Sequence, residues 1–161
     1  MEAMSRTIPS WNEYFMSQLE KVAARSKDPH TQFSCIVVGP DNFPKVTGYN
    51  GFPTGIHDDV PERLERPEKY MWIEHAERNA IFAAAKSGVA LNGCRIYQAG
   101  LPCMDCGRGL IQVGIVEVIY DEARQVEWEK TTPRYVPDFL RVRTLLQEGG
   151  VTVTPFSWPT S

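Results

Sequence analysis

The sequence predicts an α/β protein, a sheet covered by helices on both faces, and three observations carry that reading. Stretches with helical spacing alternate with short β-branched runs through the second half, as parallel strands joined by helical crossovers require. The first half supplies one amphipathic helix followed by a hairpin-like pair of strands. The 161 residues, 42% hydrophobic and 23% charged, suffice for one core, so a single domain over 1–161 is expected.

Ser10 and Glu13 form a capping-box pattern, and Trp11, Phe15, Leu19 and Val22 follow at spacings of four, four and three. A helix from about 10 to 26, closed before Pro29, is predicted. "FSCIVVG" (33–39) reads as a strand, "PDNF" as a turn and "KVTGYNG" (45–51) as the return strand. Residues 51–74 hold three prolines and both charge signs without a clean period, and so long a connection in a compact domain is usually functional. Next come a helix, "EHAERNAIFAAAKSG", stopped by Gly88, and a strand, "CRIYQAG" (94–100). A second helix opens at "PCMDCGRGLIQVG" and leads to a strand, "VEVIY" (116–120). A polar stretch, a helix near 138–148 ended by Gly149–Gly150 and an apolar run "VTVTPF" complete the order α-β-β-α-β-α-β-α-β.

Several function classes are disfavoured at this level. The first residues lack a basic start followed by an apolar run, and no segment approaches the roughly eighteen apolar residues of a membrane span, so a cytoplasmic protein is expected. Four cysteines are too few for a secreted disulfide scaffold, and two of them stand in a C-x-x-C. A net charge of −3 argues against binding a nucleic-acid polymer, which needs a concentrated basic face. A small phosphorylated substrate needs only one or two local cations.

The chemistry concentrates in "HAERNAI" and "PCMDC". Two thiolates three residues apart at a helix start, Cys103 and Cys106, can reach one metal, and the positive helix end favours their deprotonated form. His75 can supply a nitrogen from the other helix. One His and two Cys leave a tetrahedral zinc with an open position, the arrangement of a catalytic rather than a structural site. On a continuous helix Glu77 projects about 200 degrees from His75, but in the first turn it can lean over the open position and move protons. A lone C-x-x-C also suits a thioredoxin-type redox pair, yet such motifs need no H-x-E and normally lie near an N-terminal βαβ unit. Cys35 and Cys94, in apolar strand-like runs, read as core thiols, and His30 and His57 as loop or surface residues.

H-A-E with P-C-M-D-C resembles the signature of the zinc nucleobase deaminases. The likeness extends from "WNEYFM" and "ARSKDPHTQFSCIVV" through "TGYNGFPTGIHDD", "HAERNAI", "GCRIY" and "LPCMDCGRGLIQVGIVEVIY" to "EGGVTV", in order, and is to the deoxycytidylate (dCMP) deaminases. The resemblance implies a three-layer α-β-α cytidine deaminase-like fold, a mixed five-stranded sheet with helices on both faces. It implies one catalytic zinc, hydrolysis of dCMP to dUMP and ammonia for dTTP precursor supply, and a homohexamer regulated by dCTP and dTTP. His75, Cys103 and Cys106 match the family's zinc ligands, Glu77 its proton shuttle and Asn50 the residue that hydrogen-bonds the nucleotide. Arg25 stands where the family has a basic residue near the nucleotide; Lys27 and Arg124 are alternatives for the phosphate.

Two features depart from the pattern. Members with a second zinc carry extra His and Cys ligands before H-A-E, whereas residues 51–74 contain His57 but no Cys, so one zinc is expected. Glu74 immediately before His75 differs from the best-known eukaryotic members. The competing readings are a deaminase of another base or nucleoside (cytidine, cytosine, guanine), a transfer-RNA adenosine deaminase, and a non-catalytic zinc module.

Overall fold

The computed structural model describes residues 6–160, so Met1–Ser5, which open the stretch read above for a leader, and Ser161 lie outside the described residues. In chain order the elements are α1 (Trp11–Ala23), β1 (Ser34–Val38), β2 (Pro44–Tyr49), α2 (Lys69–Trp72), α3 (Ala76–Ser87), β3 (Arg95–Gln98), α4 (Met104–Gln112), β4 (Glu117–Asp121), α5 (Glu122–Thr131), α6 (Val136–Glu148) and β5 (Thr152–Phe156). Short 3-10 turns at Pro61–Arg63 and Pro133–Tyr135 precede α2 and α6.

The strands form one sheet in the order β2-β1-β3-β4-β5. β1 pairs antiparallel with both β2 and β3, while β3, β4 and β5 run parallel, the mixed five-stranded sheet that the family resemblance implies. Both edge strands contain a proline, Pro44 in β2 and Pro155 in β5.

Strand alternation divides the core in two. Ile36, Val38, Tyr97 and Ile119 face α1, whose Phe15, Met16 and Leu19 pack on them. Cys35, Val37, Ile96, Val118 and Tyr120 face the other way, against Ala76, Ala80 and Ala84 of α3, Leu110 of α4, and Phe139, Val142 and Leu146 of α6. Helices therefore cover both faces, which makes the three-layer α-β-α arrangement. The predicted cap holds α1: Ser10 Oγ accepts from Glu13 N–H at 3.2 Å and Glu13 returns a bond to Ser10 N–H at 2.8 Å.

Two parts differ from the sequence reading. The polar stretch after β4 contains α5, and the loop 51–74 contains α2 with its preceding turn. α5 lacks an apolar stripe; its start is capped by Asp121, which accepts from Arg124 N–H at 3.0 Å, and the side chain it buries is polar, Gln125. The final helix begins at Val136, with Pro137 in its first turn, where a missing N–H costs nothing.

This topology brings the site together. α3 turns into β3 through a left-handed C-cap at Gly88 (φ 69°), so α3 runs against β3 and starts near that strand's C-terminal end. α4 follows β3 directly and starts at the same end. Gly48 of β2 lets α3 approach: a Cβ there would sit 2.1 Å from the Ala76 carbonyl oxygen and 2.9 Å from the Ala80 nitrogen.

Candidate active site

Both helix starts carry site residues as caps. His75 is the N-cap of α3 with extended backbone (φ −71°, ψ 154°), so the 200-degree rotation of a continuous helix does not separate it from Glu77, two residues on. Cys103 is the N-cap of α4 (φ −71°, ψ 170°), and its Sγ accepts from Cys106 N–H at 3.5 Å. His75 Nδ1 lies 3.4 Å from Cys103 Sγ and 3.6 Å from Cys106 Sγ. All three donor atoms fall within 4.8 Å of one another.

These separations suit one zinc. A tetrahedral ion bonded to sulfur at about 2.3 Å and to nitrogen at about 2.0–2.1 Å holds the two donors about 3.6 Å apart. His75, Cys103 and Cys106 thus supply three ligands of a closed-shell cation and leave one position open. Cys35 and Cys94 are buried core thiols, as expected, and His30 and His57 are exposed.

The electrostatics agree. Cys103 is lowered to about 4, first by its hydrogen bond with Cys106 and then by His75, against the opposing effect of burial. Cys106 is raised by the same hydrogen bond and by burial, so without a metal the pair shares one negative charge. His75 is raised, chiefly by its bond to Cys103. A dication in place of the shared proton favours both thiolates. Burial raises Glu77 above an ordinary carboxyl, with its own backbone N–H and His75 opposing, which moves it toward the range in which a carboxyl both takes and gives a proton.

Arg78 ties the two helix starts together. Its guanidinium binds Glu74, with Nε at 2.6 Å from Oε1, and reaches Asp105 of α4 at 3.5 Å, while Glu74 accepts from His75 N–H at 3.0 Å. Glu74, the departure noted above, is thus part of the frame that holds the metal-binding residues.

The donor set opens into a cavity of about 1020 Å³. His75, Glu77 and Cys103 line it, as does Asn50. The Asn50 amide is fixed by the protein: Oδ1 accepts from Phe33 N–H at 2.7 Å, and Nδ2 donates to the Thr31 carbonyl at 2.8 Å and to Asp28 at 3.4 Å. The second lone pair of Oδ1 remains for a ligand. Aromatic rings form another wall, with Trp128 centroids 5.1 Å from Phe33 and 5.0 Å from Phe139.

Arg25 does not line this cavity; it is exposed just past the end of α1. Lys27 is on the surface, paired with Asp58 at 2.8 Å. Arg124, in the first turn of α5, does line it, over the Phe33 ring at 5.2 Å, and Arg66, Lys69 and Arg134 share the wall. The sequence reading missed Asp28, Lys69 and Gln98, which also face the cavity and are almost fully buried. Asp28 and Lys69 are 41 positions apart, so no local spacing announces them.

Residues 9–122 match the model of the cytidine and deoxycytidylate deaminase zinc-binding region. The deoxycytidylate deaminase of Mus musculus is 36% identical over 152 residues, covering 91% of this chain and 80% of its own length. That of Homo sapiens is 36% identical, with 91% and 79% covered. A crystal structure of the dCMP deaminase from the cyanophage S-TIM5, in complex with dCMP and dUMP, superposes with a TM-score of 0.70 at 25% identity, over 94% of this chain and 100% of that one. A match spanning most of the chain, with both cysteines and the histidine of the donor set inside it, places this protein in the family of the cytidine and deoxycytidylate deaminase zinc-binding region.

Proposed function

We propose that the protein is a zinc-dependent hydrolase that converts dCMP to dUMP and ammonia, with the whole chain acting as one deaminase domain. The observation that carries this is the placement of Glu77, its carboxyl raised by burial, beside three donors that leave one metal position open to a large cavity. The deoxycytidylate deaminase relatives, and the neighbour crystallised with dCMP and dUMP, support the substrate.

His75, Cys103 and Cys106 would hold the zinc, which when bound would supply Lewis acidity and lower the pKa of a water from 15.7 towards about 7. Glu77 takes one proton from the attacking water and passes it to the ring nitrogen N3, then takes the remaining proton of the hydroxyl added at C4 and delivers it to the amine, so that the C4–N bond breaks, ammonia leaves and a carbonyl remains. Asn50 accepts a hydrogen bond from the sugar through Oδ1. Arg78 keeps the two helix starts in register. Phe33 and Trp128, packed on each other as one wall of the cavity, cover one side of the base and exclude water from it.

The phosphate meets the cations of the cavity wall. Arg124 takes this role in preference to Arg25, because it faces the cavity and Arg25 does not. Assembly into a homo-oligomer, a hexamer by the family resemblance, with dCTP and dTTP as effectors, belongs to the same proposal. So does a cytoplasmic place in dTTP precursor supply; among the described residues no helix is long and apolar enough to cross a membrane.

Zinc content measured beside ammonia release from a panel of nucleotides, nucleosides and bases tests the reading. One zinc per chain with dCMP as the preferred substrate is expected. Activity confined to guanine, cytosine or cytidine overturns the substrate, and zinc without ammonia release from any of them overturns the enzyme.

A further inference from the structure

Gln98 ends β3 and is almost fully buried, with 3% of the residue exposed. Nε2 donates to the Gly100 carbonyl at 2.7 Å. Among the described residues, Oε1 is the buried side-chain polar atom with no hydrogen-bond partner. The Gly100 bond settles which way round the amide sits, since only the nitrogen end can donate to a carbonyl. The unpartnered atom is therefore a pure acceptor.

Its position is defined by strand alternation. Gln98 lies on the same sheet face as Ile96, the face that carries α3 and α4, and directly opposite Cys35 of β1. Gln98 lines the same cavity as Glu77 and His75. A buried acceptor without a partner is costly unless a ligand satisfies it, and it selects a donor.

We propose that Gln98 is a substrate-discriminating residue whose Oε1 accepts a hydrogen bond from the exocyclic amine of the cytosine ring. The role rests on the deaminase reading above. In cytosine joined to a sugar, O2 and N3 are acceptors, so the amine at C4 is the ring's N–H donor. In uracil the same carbon carries a carbonyl oxygen, which faces Oε1 as acceptor against acceptor. Gln98 therefore favours substrate over product and helps the product leave. The energetic asymmetry is that of a site built for a donor and offered a group without one.

Steady-state kinetics of the zinc-loaded enzyme tests this, read as the KM for dCMP beside the inhibition constant of dUMP. In Gln98→Met, which keeps the volume and removes the acceptor, KM for dCMP is expected to rise about tenfold while the dUMP constant stays within about twofold or falls. Equal rises in both mark a packing role and overturn the inference, as does no change in either. Should Gln98→Met fail to fold, the wild-type enzyme decides: dUMP is expected to bind about tenfold more weakly than dCMP, and a dUMP constant at or below the KM for dCMP overturns the role. A wild type that does not turn over dCMP removes the functional reading and this role with it. Normal turnover with an unmoved ratio removes this role alone.

Discussion

Lys69 grips both carboxylate oxygens of Asp28, at 2.9 and 2.7 Å, with side-chain exposures of only 5% and 4%. Asp28 also accepts from the backbone N–H groups of His30 and Thr31 and bonds the Asn50 amide. A surface pair would contribute little; a buried one is costly to break because the surviving charge has no partner. The pair fastens the start of α2 to the turn before β1, and thereby the wall on which Asn50 sits.

Lys69→Met is accordingly expected to destabilise the protein by about 3–5 kcal/mol, measured by urea unfolding, with part recovered in Asp28→Asn/Lys69→Met. Burial alone would raise the Asp28 carboxyl, but Lys69 and the two backbone N–H groups outweigh it and hold the carboxyl below its ordinary value. A carboxyl lowered in the folded state contributes stability that is present above its unfolded pKa, about 3.9, and lost as pH falls through the folded value. Stability is expected to drop in that acid window in wild type and to lose this component in the double variant. Identical acid profiles would count against the pair.

Glu77→Gln is expected to retain zinc and fold while losing activity by several orders of magnitude, since the Lewis acidity remains and the proton carrier does not. Cys103→Ser or Cys106→Ser is expected to lose the metal, read by elemental analysis. Turnover by Glu77→Gln within about tenfold of wild type, a margin of about 1.4 kcal/mol, would mean that another group moves the proton.

Gly48→Ala probes the approach of α3 to the sheet. The added methyl would meet the Ala76 backbone carbonyl at 2.1 Å, so the first turn of α3 must move. A loss of about 1–3 kcal/mol in stability is expected, with weaker zinc retention against a chelator because His75 caps that turn. Unchanged stability and zinc retention would show that α3 adjusts freely.

Discrimination of the phosphate separates the candidate cations. Without the phosphate, a nucleoside forfeits charge-assisted hydrogen bonds and leaves a cation unpaired, a loss of about 3–5 kcal/mol. kcat/KM for dCMP is expected to exceed that for deoxycytidine by at least about a hundredfold. Arg124→Ala narrows the gap and Arg25→Ala leaves it, by the same kinetic comparison. The opposite outcome would return the role to Arg25.

Regulation has its own readout. A velocity curve sigmoidal in dCMP and shifted left by dCTP is expected from an oligomer seen in sedimentation. A monomer at micromolar concentration, or a hyperbolic curve indifferent to dCTP and dTTP, would remove that part of the proposal.

The donor set was readable in the sequence because each half of it is a local motif at a helix start: His75 caps α3 two residues before Glu77, and Cys103 caps α4 with Cys106 in its first turn. The alternation behind β3, β4 and β5 was readable for the same reason. α5 was not, because its fully buried side chain is an amide and its apolar residues form no stripe at helical spacing. α2 is one turn long and has no period to detect. Lys69 looked like one charge among many in 51–74 until folding set it against Asp28. Arg25 and Arg124 both end or begin helices near strands, and only the direction in which each element leaves the sheet tells which faces the cavity.

The prolines of the two outer strands bear on how copies of the chain meet. Each interrupts the row of backbone donors that a further strand would need, at Pro44 on one margin and Pro155 on the other. Growth of the sheet from one molecule into the next is thereby discouraged, which protects a concentrated solution from fibre-like stacking. Contact between copies is steered instead toward helical faces and loops, where exposed side chains such as Phe82 of α3 and Leu140 of α6 offer apolar surface without recruiting the sheet.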